Sequence, residues 1–239
     1  MRTLVVIPTY EEAGNIAEIL RRVRAAVPVA DVLVVDDSSG DGTAEIAEQV
    51  GHELGHIEVL RRPKGSGLGS AYKTGFTLGL ERGYDVMVEM DADLSHDPDA
   101  LPEMLDALED GADLAIGSRY RSGGAITQWA AHRRALSLWG CRYANAMLRL
   151  GITDPTSGYR AYRATALKAL DLTRIRGNGY VFQVEMAYRI QRNGGVLAEV
   201  PITFAERVHG ESKMSWRIIG EAALLVTGWG LRDRFLRRK

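Results

Sequence analysis

A chain of 239 residues with 46% apolar and 26% charged side chains has the composition of one large globular domain, with or without an elaborated tail; disorder, collagen and coiled coil are excluded. A single cysteine, Cys141, excludes a disulfide framework and any cysteine-cluster zinc site. The net charge of −1 conceals a division: residues 1–118 hold 9 Lys/Arg against 23 Asp/Glu, and residues 119–239 hold 21 against 8.

Short β-branched runs alternate with helix-like stretches through the first half. Residues 3–7 form a continuous apolar run closed by Pro8, which predicts a buried strand. Residues 12–26 place Ile16, Ile19, Leu20 and Val23 at helical spacing. Strands follow at 32–35, 57–60, 86–90 and 114–116, and helices at 43–50 (capped by Asp41), 70–80 and 100–108. Such alternation implies a mostly parallel sheet, whose ligand sits beyond the carboxyl ends of the strands. The residues there are 8–12, 36–38, 61–62, 91–93 and 118–119, rich in groups able to hold a nucleotide, a metal or a phosphate. After residue 119 the alternation weakens, with helices predicted at 129–150, 164–170 and 181–192 and a strand at 196–204.

The stretch from Arg119 to Thr153 holds six arginines and no acid. The basic half therefore either faces an anionic partner (nucleic acid, membrane surface or phosphorylated substrate) or balances the acidic half as a solvated face. The tail 214–239 is apolar with a basic end; it reads either as a helix in the membrane interface, with Trp216, Leu224, Leu225 and Trp229 inward, or as a helix covering the core. No apolar stretch reaches ~20 residues, so no transmembrane helix is predicted. The N-terminus lacks a cleavage pattern, so a cytoplasmic location is expected.

The glycine-rich run at 64–69 is neither a P-loop nor a dinucleotide fingerprint, since no Gly-Lys-Ser/Thr occurs and the first strand is followed by PTYEE. Asp91-Ala92-Asp93 is sharper. Residues i and i+2 of an extended segment point the same way, so the two carboxylates can converge on a hard divalent cation whose shell is completed by substrate phosphates. The plainer reading is a turn leading into a helix with Asp as its cap.

PTYEE at 8–12, DDSSGDGT at 36–43, GLGSAY at 67–72, MDADLSHDP at 90–98 and GSRY at 117–120 resemble glycosyltransferase family 2. TSGYRAYR at 156–163, GYVFQVEM at 179–186 and RVHGESK at 207–213 are similar to the polyprenol-phosphate mannose synthases within it; the likeness runs from about residue 3 to 215. The resemblance implies a GT-A fold: an α/β nucleotide-binding sandwich with a mostly parallel central sheet, residues 1–213, followed by a helical membrane-facing extension, residues 214–239. By similarity Pro8, Tyr10 and Glu12 lie against base and ribose, and Asp37 hydrogen-bonds the base. Asp91 and Asp93 match the metal-binding carboxylates, with Mg²⁺ or Mn²⁺ as cofactor, and Ser95 stands where relatives carry a further ligand. Arg119, Arg133, Ser137, Arg207 and Lys213 match positions around the acceptor phosphate and the diphosphate, with Arg134 competing for the place of Arg133. His209 is the one histidine set near this group; His52, His56, His96 and His132 are read as surface or hydrogen-bonded side chains.

The activity so implied is inverting, metal-dependent transfer of mannose from GDP-mannose to a polyprenyl monophosphate. A phosphate monoester with a second pKa of ~6 is already ionised at neutral pH, so the reaction calls for arginines rather than a general base. The partners implied are the two substrates and a membrane surface at its cytoplasmic face, with or without a separate anchor protein; nucleic acid is not among them. Two rivals remain open: transfer from another sugar nucleotide such as UDP-glucose to the same lipid class, and a nucleotide-binding scaffold without chemistry.

Overall fold

The computed structural model describes residues 1–63, 67–175, 177, 179–205 and 216–236. The first half alternates as its periodicity predicts: β1 (Thr3–Thr9), α1 (Ile16–Ala26), β2 (Asp31–Asp36), α2 (Thr43–Leu54), β3 (Ile57–Arg61), α3 (Leu68–Glu81), β4 (Val86–Glu89), α4 (Leu101–Glu109) and β5 (Leu114–Ser118). The second half adds β6 (Ala125–Ile126), α5 (Ala131–Leu148), β7 (Arg160–Arg163), α6 (Ala164–Lys168), α7 (Tyr180–Arg192), β8 (Leu197–Pro201), β9 (Thr203–Phe204) and α8 (Trp216–Leu236). The main sheet runs β3-β2-β1-β4-β7-β5-β8, and β6 pairs with β9 in a separate small sheet. Every pairing in the main sheet is parallel except the two that β7 makes.

β1 shows why the centre of this sheet reads as an unbroken apolar run. Leu4 and Val6 enter a core that includes Phe76 of α3 and Phe182 of α7; Val5 and Ile7 enter the opposite core with Ile16, Ile19 and Leu20 of α1. β1 is thus covered on both faces, and each such side chain contributes about 1.5–3 kcal/mol. At Gly75 an added Cβ would lie 2.5 Å from Val6 Cγ1, so α3 rests on β1 at a distance that only glycine permits.

Several boundaries move, for local reasons. The first helix begins at Ile16 rather than residue 12 because Glu11 takes φ +60 and residues 11–13 are bonded to the 39–43 loop. The single strand expected at 196–204 is two: β8 lies parallel to β5, and β9 leaves the main sheet for β6. β7 was not predicted, because a four-residue strand with arginine at both ends carries no apolar signature. Arg160 is nonetheless fully buried and donates to Ser157 O (2.7 Å), Gln183 O (2.7 Å) and Pro155 O (2.8 Å). Charged groups are buried in this way when every donor finds an acceptor.

α8 lies against α5 and α7. Tyr143 and Thr227 share a hydroxyl contact of 2.5 Å, Trp229 stacks on Tyr188 at 5.8 Å, and a Cβ at Gly230 would meet Met147 O at 2.7 Å. Trp229 therefore faces protein, as the core-covering one of the two readings of the tail has it. Leu224, by contrast, is 76% exposed. No helix among the described residues is long and apolar enough to cross a membrane.

Candidate active site

Strand order reverses direction between β1, which leads outward to β2, and β4 on its other side. A doubly wound sheet opens a crevice there, beyond the carboxyl ends of those two strands. Residues 9–12 and 90–93 are the segments delivered to it.

The β1 side is assembled by short hydrogen bonds between two loops. Asp36, almost wholly buried, accepts from Thr9 Oγ1 (2.9 Å), Ser39 Oγ (2.6 Å) and Ser39 N (3.0 Å). Glu12 donates its amide to Thr43 Oγ1 (2.9 Å) and accepts from Asn15 Nδ2 (2.8 Å). The N-cap of α2 is Gly42, in the left-handed region, rather than the expected Asp41; Asp41, one residue earlier, accepts from the Thr43 amide and hydroxyl and from the Ala13 amide. Burial raises the Asp41 pKa, but those bonds outweigh it and hold the carboxyl below its ordinary value. Pro8 and Tyr10, both half-buried, flank the same loop. Asp37 is gripped through Oδ1 by Arg62 Nε (2.9 Å) and Nη2 (2.5 Å), while Arg62 Nη1 reaches Thr74 Oγ1 (3.0 Å). Arg62 fixes the Asp37 carboxylate, a support that its place after β3 hinted at without naming its partner.

On the β4 side, Asp91 is about one quarter exposed (26% of its side chain), and Asp93 is nearly buried. Asp91 Oδ1 accepts from the Tyr72 hydroxyl (3.1 Å), and its amide donates to His96 Nδ1 (3.1 Å). Asp93 Oδ1 accepts both the amide (3.1 Å) and the hydroxyl (2.5 Å) of Ser95. The hydroxyl of Ser95 thus braces Asp93. His96, read from sequence as an ordinary histidine, is buried and stacks on Tyr159 at 4.9 Å. Beneath this pair lies a group the apolar run concealed: Glu89, fully buried, with Tyr162 donating to it (3.1 Å). Burial, opposed by Arg160 and reinforced by the neighbouring Asp91, pushes its carboxyl up to about 8, so it adds no third charge near Asp91 and Asp93 at neutral pH.

Among the described residues no group of three or more His, Cys, Asp or Glu is placed to hold a metal. The donor set at Asp91 and Asp93 is two hard carboxylates, which fits a divalent ion that keeps one or two protein ligands and completes its shell with phosphate oxygens and water.

The basic half supplies a second group of candidate side chains. Arg119 is buried and bidentate to Asp154, with Nε to Oδ2 and Nη2 to Oδ1 both at 2.7 Å, and Nη2 also reaches Thr156 Oγ1 (2.8 Å). Desolvation works against that carboxylate and the guanidinium favours it, leaving Asp154 below its ordinary value. Arg133, in the first turn of α5, lies over the Trp129 ring at 4.1 Å, whereas Arg134 is exposed. Arg119 and Ser137 meet at a cavity of about 110 Å³ whose apolar walls include Trp139, Tyr143, Val184 and Val226. Arg207, His209 and Lys213 lie outside the described residues.

Residues 4–171 match the family model described as Glycosyl transferase family 2. The chain is 52% identical over 235 residues to an undecaprenyl-phosphate mannosyltransferase of Micrococcus luteus, covering 98% of this chain and 96% of that one. It is 47% identical over 239 residues to a polyprenol monophosphomannose synthase of Mycolicibacterium smegmatis, covering 100% and 90%. In fold it is similar to the crystal structure of glucosyl-3-phosphoglycerate synthase from Mycobacterium tuberculosis in complex with Mn²⁺, UDP and glucosyl-3-phosphoglycerate, at TM-score 0.69 and 18% identity over 98% of this chain and 79% of that one. With more than half its length inside the family model and two relatives near half-identical end to end, the chain belongs to glycosyl transferase family 2.

Proposed function

We propose that this chain transfers mannose from GDP-mannose to a polyprenyl monophosphate, with inversion, at a membrane surface. The observation that carries this reading is the lining of the acceptor side: a mostly apolar trough between α5, α7 and α8 to which Arg119 and Ser137 add polar groups. A trough of this kind suits an amphiphile with one anionic head. α5 reinforces the head position, because its first turn carries His132, Arg133 and Arg134 and no acid, and its amides have no side-chain cap. Basic residues at the positive end of a helix are unfavourable unless an anion joins them.

Donor binding falls to the other wall. Pro8, Tyr10 and Glu12 flank the nucleoside, and Asp37, held by Arg62, offers a carboxylate to the N–H groups on the edge of guanine. Asp91 and Asp93 would hold Mg²⁺ or Mn²⁺, which neutralises a diphosphate when bound. Tyr72, His96 and Ser95 keep those two carboxylates in place. The ionised acceptor phosphate oxygen attacks the anomeric carbon from the face opposite the diphosphate; the C–O bond to GDP breaks, and GDP leaves with the electron pair. No side chain need remove a proton, since the nucleophile is already ionised. Arg119, Arg133, Ser137, Arg207 and Lys213 orient the two phosphate groups, and arginine suits this task through its bidentate fork. Residues 1–213 form the catalytic unit in this reading. Within the 214–239 extension, α8 completes the trough and turns Leu224 and the exposed Arg232 and Arg234 toward the membrane, with or without a separate anchor protein.

Single-turnover reaction of radiolabelled GDP-mannose with a short polyprenyl monophosphate tests the proposal. Label should move to the lipid, and unlabelled GDP-mannose should compete far better than UDP-glucose. Equal competition by UDP-glucose would replace the donor; no labelled lipid would sink the reading.

A further inference from the structure

We infer that Trp129 is a positioning residue for Arg133, its indole fixing that guanidinium beside the acceptor cavity; this rests on the acceptor reading above. Trp129 was not among the residues singled out from sequence, and it precedes α5 in a connecting segment. Its ring lies 4.1 Å from Arg133 Cζ and 5.6 Å from Arg119 Cζ. Arg119 is fixed by Asp154 and lies nearer to the Tyr120 and Phe204 rings (5.4 Å each), so the indole's defining cation contact is with Arg133.

The ring is itself held. Phe204 meets it edge-on at 5.5 Å, and Phe204 is fixed in the small sheet where Thr127 N donates to Phe204 O (3.0 Å). Its Nε1 is buried without a hydrogen-bond partner among the described residues. Buried tryptophans ordinarily place that N–H on an acceptor. Here the contacts that define the ring's position are its faces and edge, which is what a guanidinium platform requires. A π face attracts a guanidinium at this distance.

The test is steady-state kinetics of the full chain with GDP-mannose and a short-chain polyprenyl monophosphate, together with GDP binding. Trp129→Leu should raise the acceptor KM about tenfold and leave kcat and GDP affinity within about twofold, with Trp129→Phe recovering most of the loss. The inference is overturned if the acceptor KM does not move or if GDP affinity falls by the same factor. It is equally overturned if Phe is no better than Leu, or if the penalty grows with chain length, which would make the ring a lipid contact. Should Trp129→Leu fail to fold, a cycle of Trp129→Phe with Arg133→Lys decides, and fully additive penalties refute the coupling. Wild-type chain that transfers nothing to any polyprenyl phosphate would sink the acceptor reading instead, so the two failures are distinguishable.

Discussion

The acidic and basic halves handle charge in opposite ways. In residues 1–118 several carboxylates take a bond from a neighbour in sequence, Asp36 from Ser39, Asp41 from Thr43, Asp93 from Ser95 and Asp97 from the Asp99 amide, while Asp37 and Asp91 are held from farther away by Arg62 and Tyr72. In the basic half the cations tie distant segments together. Arg119 holds Asp154, 35 residues away; Arg160 caps three carbonyls; Arg163 donates to Ala112 O (2.8 Å) and Leu108 O. A short carboxylate reaches one turn, whereas a guanidinium on a long stem spans two elements. The acid-free arginine stretch is therefore in part scaffold, and its charge does not belong to the acceptor as a block.

The sharpest break of this comparison comes from the donor wall. Asp93→Ala should lower turnover by roughly three orders of magnitude while the melting temperature stays within a few degrees, since the lost interactions are those of a binding group. Near-normal turnover would remove the metal role. Next in size, Asp154→Asn should destabilise the fold by about 3 kcal/mol in urea unfolding, because it leaves Arg119 buried without its counter-charge. A change below about 0.5 kcal/mol would mean that the Asp154 pair is not what holds Arg119 in place.

The pH dependence of that pair follows from sign. Asp154 is depressed below the ordinary 3.8, so its contribution is complete above that value and is lost as pH falls through the folded-state pKa. Urea midpoints should accordingly drop on acidification below about pH 4 in the wild type and less steeply in Asp154→Asn; parallel curves would contradict this.

Tyr72→Phe sharpens the picture at lower amplitude. Removing one hydroxyl from Asp91 should weaken Mn²⁺ binding in the presence of GDP about tenfold, read by electron paramagnetic resonance, with stability little changed. Unchanged affinity would leave Tyr72 a core aromatic. The smallest effect belongs to Leu224→Ser. Stability should stay within about 0.5 kcal/mol because the side chain is exposed, while flotation with anionic vesicles falls severalfold. Equal flotation would take α8 out of the membrane contact.

Much of the donor half was legible because its signals are local. Apolar runs of period two or 3.6 gave β1 to β5 and α1 to α4, and the acids after those strands gave Asp37, Asp91 and Asp93 as candidates. Tertiary structure decided what locality could not: that Arg160 goes inward on an antiparallel strand, that Glu89 lies buried beside Asp91, that Tyr72 bonds the Asp91 carboxylate while His96 takes its amide, and that Trp229 turns to Tyr188. Periodicity reports which face of an element is apolar, and spacing reports which groups share a turn. Which long side chain meets which distant partner depends on strand order and helix packing, and those are fixed only when the two cores close on the sheet.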